Sequence, residues 1–474
     1  MMDGFPAKIY PTLRILLDKR TAKSRALQDR EEHDKEVQWC DLPFPALEKI
    51  YSSVSRNDKL NMSLVCRNWS EGFYSPSVCK TFRFDLTNSQ LSKDTCPVLK
   101  SVRKCSSMFR HVEIECNFDM KERLIEIWCR HFIEFLQILA SNSQLHSVKF
   151  RDLDLCFGPR IDTPTYNNIC RAIGDFLGSQ RHLKRAEFHY CSFGFSEGVE
   201  LLRKLTEHNW QSLTHLVLQE FFRYESNDKE QVSNDAQKLP TFADLPSLRT
   251  LEMDYSLIFE NMIASQSPDI QTIKSCQTRV LSKIILNYYN DFMEIEGCRG
   301  LTSTDWWFLK ILCPDLQVEL SITTNSATRR LVEFFILPNM PVTRLDYKNE
   351  DFETGIEINV LFEHLLTCKT NEHLVAFHLE WMWPIQDLSS TFIPFLQACR
   401  KLKCLELFIV YSARGIEVLL ESWLENRPES LEKVIIDISE LEDEDDFPSL
   451  MNFTTEYVSL LKLAGLNIRV DFHS

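Results

Sequence analysis

One short apolar phrase, L-x-x-L-x-L, recurs along most of this chain. It begins at Leu145 (with Val148 and Phe150), Leu183 (Ala186, Phe188), Leu213 (Leu216, Leu218) and Leu248 (Leu251, Met253). It returns at Leu281 (Ile284, Leu286), Leu374 (Phe377, Leu379), Leu402 (Leu405, Leu407) and Leu431 (Val434, Ile436). Weaker copies begin at Phe109 and Val342, and Leu316–Ile322 alternates plainly. Alternation of this kind predicts short strands with one buried face. Between the phrases the period changes. Leu124, Ile127, Trp128, Phe132, Phe135 and Leu139 fall on one helical face, as do Ile416, Leu419, Leu420, Trp423 and Leu424 ahead of Pro428.

Successive phrases start roughly 26 to 38 residues apart, the length of one strand plus one helix per turn of a solenoid. A single strand-helix unit cannot bury its apolar face alone, so neighbours must stack into one continuous core. The expected fold class is therefore α/β, an α/β solenoid over residues 85–474. Over that length the chain resembles the leucine-rich repeat fold. The position that usually holds a hydrogen-bonding Asn or Cys is matched by Asn117 and Cys191, and partly by Ser256 and Ser439, while Leu153 and Phe221 depart from it. An irregular α/β domain is the alternative.

Residues Trp39 to Phe84 follow another logic. Leu47, Ile50, Tyr51 and Val54 share one helical face; Leu60 and Leu64 mark a second helix, and Trp69 and Phe73 a third, ended by Ser75-Pro76. So small a three-helix module cannot cover all of Leu42, Pro43, Leu47, Ile50, Val54, Leu60, Leu64, Val65 and Trp69, and part of that surface should meet a partner. The pair Leu42-Pro43, then Leu47, Ile50 and Leu60, and above all Ser63-Leu64-Val65-Cys66-Arg67-Asn68-Trp69, resemble an F-box; Tyr74-Ser75-Pro76-Ser77-Val78 continues the likeness. Cys79 departs from it, standing where the family commonly carries tryptophan. The resemblance implies binding of the adaptor that links such modules to a cullin scaffold. Leu42, Pro43, Leu47, Ile50, Leu64, Val65 and Trp69 are then the adaptor-binding candidates. The same side chains, Trp69 especially, also compete for the module's own core.

The domain order that follows is a charged flexible tail at 1–38, an F-box at 39–84 and a substrate-binding solenoid at 85–474. By resemblance the whole is a non-catalytic substrate-recognition subunit of an SCF-type ubiquitin ligase, with an unidentified protein as target. An F-box scaffold without a ubiquitination role is the alternative, as is an enzyme with a site hidden in the solenoid. Counting seven on from each starting leucine gives Tyr190, Tyr255, Tyr288 and Trp381, with Asp152, Glu220, Ile409 and Ile438 in the other phrases. Beside Glu187, Glu252, Asp254 and Glu380, these rings form a candidate substrate-binding column on the open face, suited to a basic target segment. The alternative is that they pack on one another.

Composition narrows the rest. The 474 residues are 44% hydrophobic and 26% charged, which suits a folded chain rather than a disordered one. No Gly-Lys or Gly-Gly pair exists, which excludes a Walker-type phosphate loop. A net charge of −15 argues against nucleic acid as a partner. The 16 cysteines include no C-x-x-C, and no zinc-like or H-E-x-x-H spacing appears, so no metal and no cofactor is expected. Reduced thiols, no membrane span and a cytoplasmic or nuclear location are the expectation. Tyr224–Pro240 looks like an insertion between repeats, and Glu440–Asp446 like a solvated acidic loop.

Overall fold

A computed structural model of the chain describes residues 39–473, apart from 55, 92–95, 118, 142–143, 158–159, 224–238, 242–243, 265–279, 290–297, 326–327, 351–357, 383–391, 411–415 and 440–446. The expected tail, the insertion at 224–238 and the acidic loop at 440–446 lie outside the described residues. The chain divides into two compact units, Met1–Val78 and Cys79–Ser474.

In the first unit three helices surround a small core. Helix α1 (Phe44–Ser52) starts at the Pro43–Pro45 corner, where a missing proline N–H costs nothing. Helices α2 (Arg56–Ser63) and α3 (Arg67–Phe73) follow. Leu47, Tyr51 and Trp69 form the centre, with Leu42, Met62, Cys66, Phe73 and Val78 packed against it. Gly72 lets α1 and α3 approach: a Cβ there would stand 3.4 Å from Leu47 Cδ1. Polar atoms inside are satisfied, since Tyr51 Oη donates to the Trp69 carbonyl at 2.7 Å and Trp69 Nε1 donates to the Trp39 carbonyl at 2.7 Å.

The second unit is built on one sheet of thirteen parallel strands in strict chain order. The strands are β1 (Thr81–Phe84), β2 (His111–Glu115), β3 (Ser147–Arg151), β4 (Arg185–His189), β5 (His215–Gln219), β6 (Thr250–Asp254) and β7 (Lys283–Tyr289). They continue as β8 (Gln317–Thr324), β9 (Val342–Asn349), β10 (Ala376–Trp381), β11 (Cys404–Val410), β12 (Lys433–Ser439) and β13 (Asn467–His473). Helices between them include α4 (Pro97–Cys105), α5 (Ile125–Ala140), α6 (Thr163–Ser179), α7 (Phe195–Asn209), α8 (Leu257–Ala264), α9 (Ser303–Leu312) and α10 (Arg329–Phe335). Then come α11 (Ile358–Thr367), α12 (Phe392–Ala398), α13 (Ile416–Asn426) and α14 (Phe447–Leu463). A parallel sheet whose spatial order equals its chain order is the α/β solenoid arrangement.

All eight strong phrases fall on strands, and their starting leucines are buried. The module boundary expected after Phe84 falls earlier, because Thr81–Phe84 pairs with His111–Ile114 as the first rung of the sheet. Strands β1 and β13 lack the phrase, and so sequence pattern alone passed over both. At Phe221, which departs from the hydrogen-bonding ladder position, the ring packs edge-on against Phe188, Phe193 and Phe222. The expectation of reduced thiols also changes at one place: Cys116 and Cys156 are joined as a disulfide, since they sit side by side at the ends of neighbouring repeats. No described helix is long and apolar enough to cross a membrane.

Candidate protein-docking surfaces

The F-box-like unit sorts its apolar side chains into two groups. Leu47 and Trp69 are interior, Leu42 packs on them, and Ile50 is half-buried. They hold the module together and present little surface, which corrects the expectation that Leu47 and Trp69 meet the adaptor. Helices this short must spend their largest side chains on their own core. Leu64 and Val65 lie at the other extreme, 79% and 52% exposed in the turn between α2 and α3. Pro43 is exposed as well. Two residues that the pattern passed over, Trp39 and Phe44, add exposed aromatic surface. Their segment is stitched to α3, because Asn68 Nδ2 donates to the carbonyls of Cys40 and Leu42 at 2.8 and 3.0 Å. Apolar groups held rigidly in water are the raw material of a docking surface.

On the solenoid, the outward strand positions carry charge, and register sets them in rows. Arg83, Glu113, Lys149 and Glu187 are direct neighbours across β1–β4. Their ion pairs form a lattice: Arg83 with Glu115, Arg151 with Glu113, Lys283 with Glu319, Lys348 with Glu380, and Lys433 with Glu406. Its most buried member is Glu187. Lys149 Nζ stands 2.8 Å and His189 Nε2 3.2 Å from Glu187 Oε2, while Arg185 and His215 flank Oε1. Burial works to raise this carboxyl, yet the hydrogen bonds from His189, Lys149 and Arg185 win and hold it far below the usual range.

The lattice stops at the carboxyl ends of β3 to β6. Asp152, Glu220, Glu252 and Asp254 have no ion pair among the described residues. Burial raises Asp152, Asp154 and Glu220 above the ordinary carboxylate range, and Asp154 adds like charge to Glu220. Asp254 is pushed up to about 7, by burial first and by the charges of Glu220 and Glu252, against one hydrogen bond from the Glu220 N–H at 2.6 Å. Its other oxygen, Oδ1, is buried with no hydrogen-bond partner among the described residues. Burial raises the Tyr190 and Tyr289 hydroxyls too, and both feel the charges of Asp254 and Glu220.

The expected aromatic column is not formed. Tyr255, Tyr288 and Trp381 are buried inside the unit, and so are Ile409 and Ile438. The reason is parity. In a strand the inward residues recur every second position, so a residue seven after the first leucine shares the inward face with those at three and five. Tyr288 accordingly packs 4.4 Å from Phe335, ring centre to ring centre, and Trp381 stacks near Tyr347 at 6.2 Å. Tyr190 escapes because it has φ +54°, a left-handed turn that swings it outward to 38% exposure. Asp152 and Glu220 hold the same conformation at the same place in adjacent repeats, with φ +57° and +44°.

Comparison with known proteins accords with the amino-terminal geometry. Residues 39–81 match the F-box domain family, so the chain carries an F-box there. Among solved structures the chain is similar to one titled "Crystal structure of TLR13-ssRNA13 complex", with 14% identity and a TM-score of 0.33. That match covers 78% of this chain and 52% of the other, so the chain spans about half the length of that protein.

Proposed function

We propose that this protein is the substrate-recognition subunit of an SCF-type ubiquitin ligase. The observation that carries the reading is the F-box at residues 39–81, since F-box domains generally bind Skp1-type adaptors and F-box proteins are typically non-catalytic. In this reading Leu64, Val65, Pro43, Phe44 and Trp39 meet the adaptor, and the adaptor joins the chain to a cullin. The solenoid holds the target, and the carboxylates beside Tyr190, which make no ion pair among the described residues, suit a Lys- or Arg-rich segment. Such a subunit breaks no bond; it raises the effective concentration of the target's lysines near a ubiquitin-charged enzyme. Cytoplasm or nucleus is the compartment in which that machinery would be met.

The test is co-purification from cells. The double change Leu64→Asp with Val65→Asp should lose adaptor and cullin together while the melting profile stays that of the wild type, because neither side chain supports the core. Undiminished recovery of both partners would reject the reading. Target half-life after depletion of the protein separates a receptor from a scaffold that leaves its partner stable.

A further inference from the structure

The acidic carboxyl ends of β3 to β6 have a counterpart at the opposite rim of the sheet. One residue ahead of each strand, a backbone ladder runs from repeat to repeat. The Lys80 carbonyl accepts from the N–H groups of Arg110 and His111, Arg110 from His146 and Ser147, and His146 from Lys184 and Arg185. Lys184 then takes Thr214 and His215, and Thr214 takes Arg249 and Thr250. Lys80, Arg110, His146, Lys184, Thr214 and Arg249 therefore hold the same place ahead of β1 to β6. Strand spacing sets neighbours in this row about 4.8 Å apart.

The row is basic. No carboxylate stands in it, or in the first strand position beside it, from β1 to β7. Lys80, Arg110, Lys184 and Arg249 make no ion pair among the described residues. Further along the same ladder the charges do cancel, since Lys403, ahead of β11, meets Glu432 of the next rung at 2.8 Å. The histidines of the rim register the local field. Burial first, and then Lys80, holds His111 below its ordinary value; His146 is pushed down by burial and then by Lys184, His111, Arg110 and His182. Lys184, Thr214 and Arg249 also line a cavity of about 390 Å³ with Gln211, Ser212 and Ser247. Its lining has neither a carboxylate nor an aromatic ring.

We propose that this rim, from Lys80 to Arg249, is a docking groove for an extended peptide segment rich in Asp and Glu. Five rungs make it about 24 Å long, which roughly seven residues of extended chain would span. Three observations favour this occupant over other anions. A bound phosphate draws on unspent backbone N–H groups, whereas the ladder uses the N–H of every row residue from Arg110 to Arg249. Nucleic-acid bases need rings to stack on, and the cavity lining offers none. A long polyanion would also meet the net charge of −15 over the whole chain, while a short segment meets only the rim. This inference uses neither the F-box nor the acidic patch, so it stands or falls apart from the adaptor and target readings.

The experiment is fluorescence anisotropy of a labelled octaglutamate peptide with the full chain. Binding should saturate at one peptide per chain and weaken as salt rises. Lys184→Glu and Arg249→Glu should each weaken it about tenfold, since each sets like charge against the peptide. Arg171→Glu, an equal change of net charge on α6, should leave it within about twofold. Melting should hold for all three, because each side chain is exposed. If a reversal does lower melting, the neutral double change Lys184→Gln with Arg249→Gln carries the same test. A chain that ignores octaglutamate overturns the proposal, and so do rim variants that bind it as the wild type does. An Arg171→Glu loss equal to theirs would reduce the effect to net charge and overturn it as well. Tighter binding of a glycine peptide with one phosphoserine, or of octauridylate, would assign the rim to another ligand and reject this one.

Discussion

Glu187 and Asp254 are two buried carboxyls on one sheet with opposite titration behaviour. Glu187 is held far below its ordinary value by the cations around it. A depressed carboxyl contributes stability above its unfolded value, about 4.3, and loses it as pH falls further. Glu187→Gln should therefore cost about 2 kcal/mol at pH 7 and flatten the acid limb of a stability–pH curve. Asp254, raised to about 7, works the other way. Its protonated form suits the fold, so its contribution is complete below about pH 4 and disappears as pH rises towards 7. Asp254→Asn should remove that slope and raise stability at pH 8 by roughly 2–4 kcal/mol, read from urea unfolding at several pH values. Should a cationic target segment sit on this patch, its affinity will grow as pH rises through 7, and it will weaken in the Asn variant.

At the scale of elements, the same position in three successive repeats carries the left-handed turn at Asp152, Tyr190 and Glu220. None is glycine, and each non-glycine residue there costs about 1 kcal/mol. Glu220→Gly should relieve that strain and remove a like charge beside Asp254, giving a gain of about 1 kcal/mol in unfolding free energy. No gain would mean that the Glu220 side chain contributes more than its conformation costs. The F-box helices offer a contrast within five residues of chain. Trp69 fills the core and its indole N–H is satisfied, so Trp69→Ala should cost about 3–5 kcal/mol and unfold the module. Leu64→Asp removes exposed surface and should leave folding within about 0.5 kcal/mol of wild type. Thermal melting of the two variants decides between core and surface directly.

Taken whole, the molecule has two apolar cores, one around Leu47, Tyr51 and Trp69 and one beneath the thirteen-stranded sheet. Each should therefore unfold with its own transition in scanning calorimetry. A partner that binds only the folded F-box stabilises it by about 2.7 kcal/mol at a hundred times its dissociation constant. Adding adaptor should shift the smaller transition upward and leave the larger one in place. A single transition that moves as a whole would show that the two cores unfold together.

Much of this was legible from residues in order. Leu145, Leu183, Leu213 and their successors mark strands because a period of two is a local property, and the spacing between them fixes one helix per turn. The Leu42-Pro43 pair and the run Ser63–Trp69 likewise marked the module. Sequence could not say which large residues face water, because that depends on what neighbouring elements have already covered. Tyr288 and Trp381 are inside by strand parity, while Tyr190, at the same count, is outside through one positive φ. Trp69 is spent on a core, and Leu64, five residues earlier, is left bare. That Asp152, Glu220, Glu252 and Asp254 make no ion pair among the described residues belongs to the same class of fact. Whether a carboxylate has a partner is decided across strands about 30 residues apart, where only the assembled sheet brings charges within reach of one another.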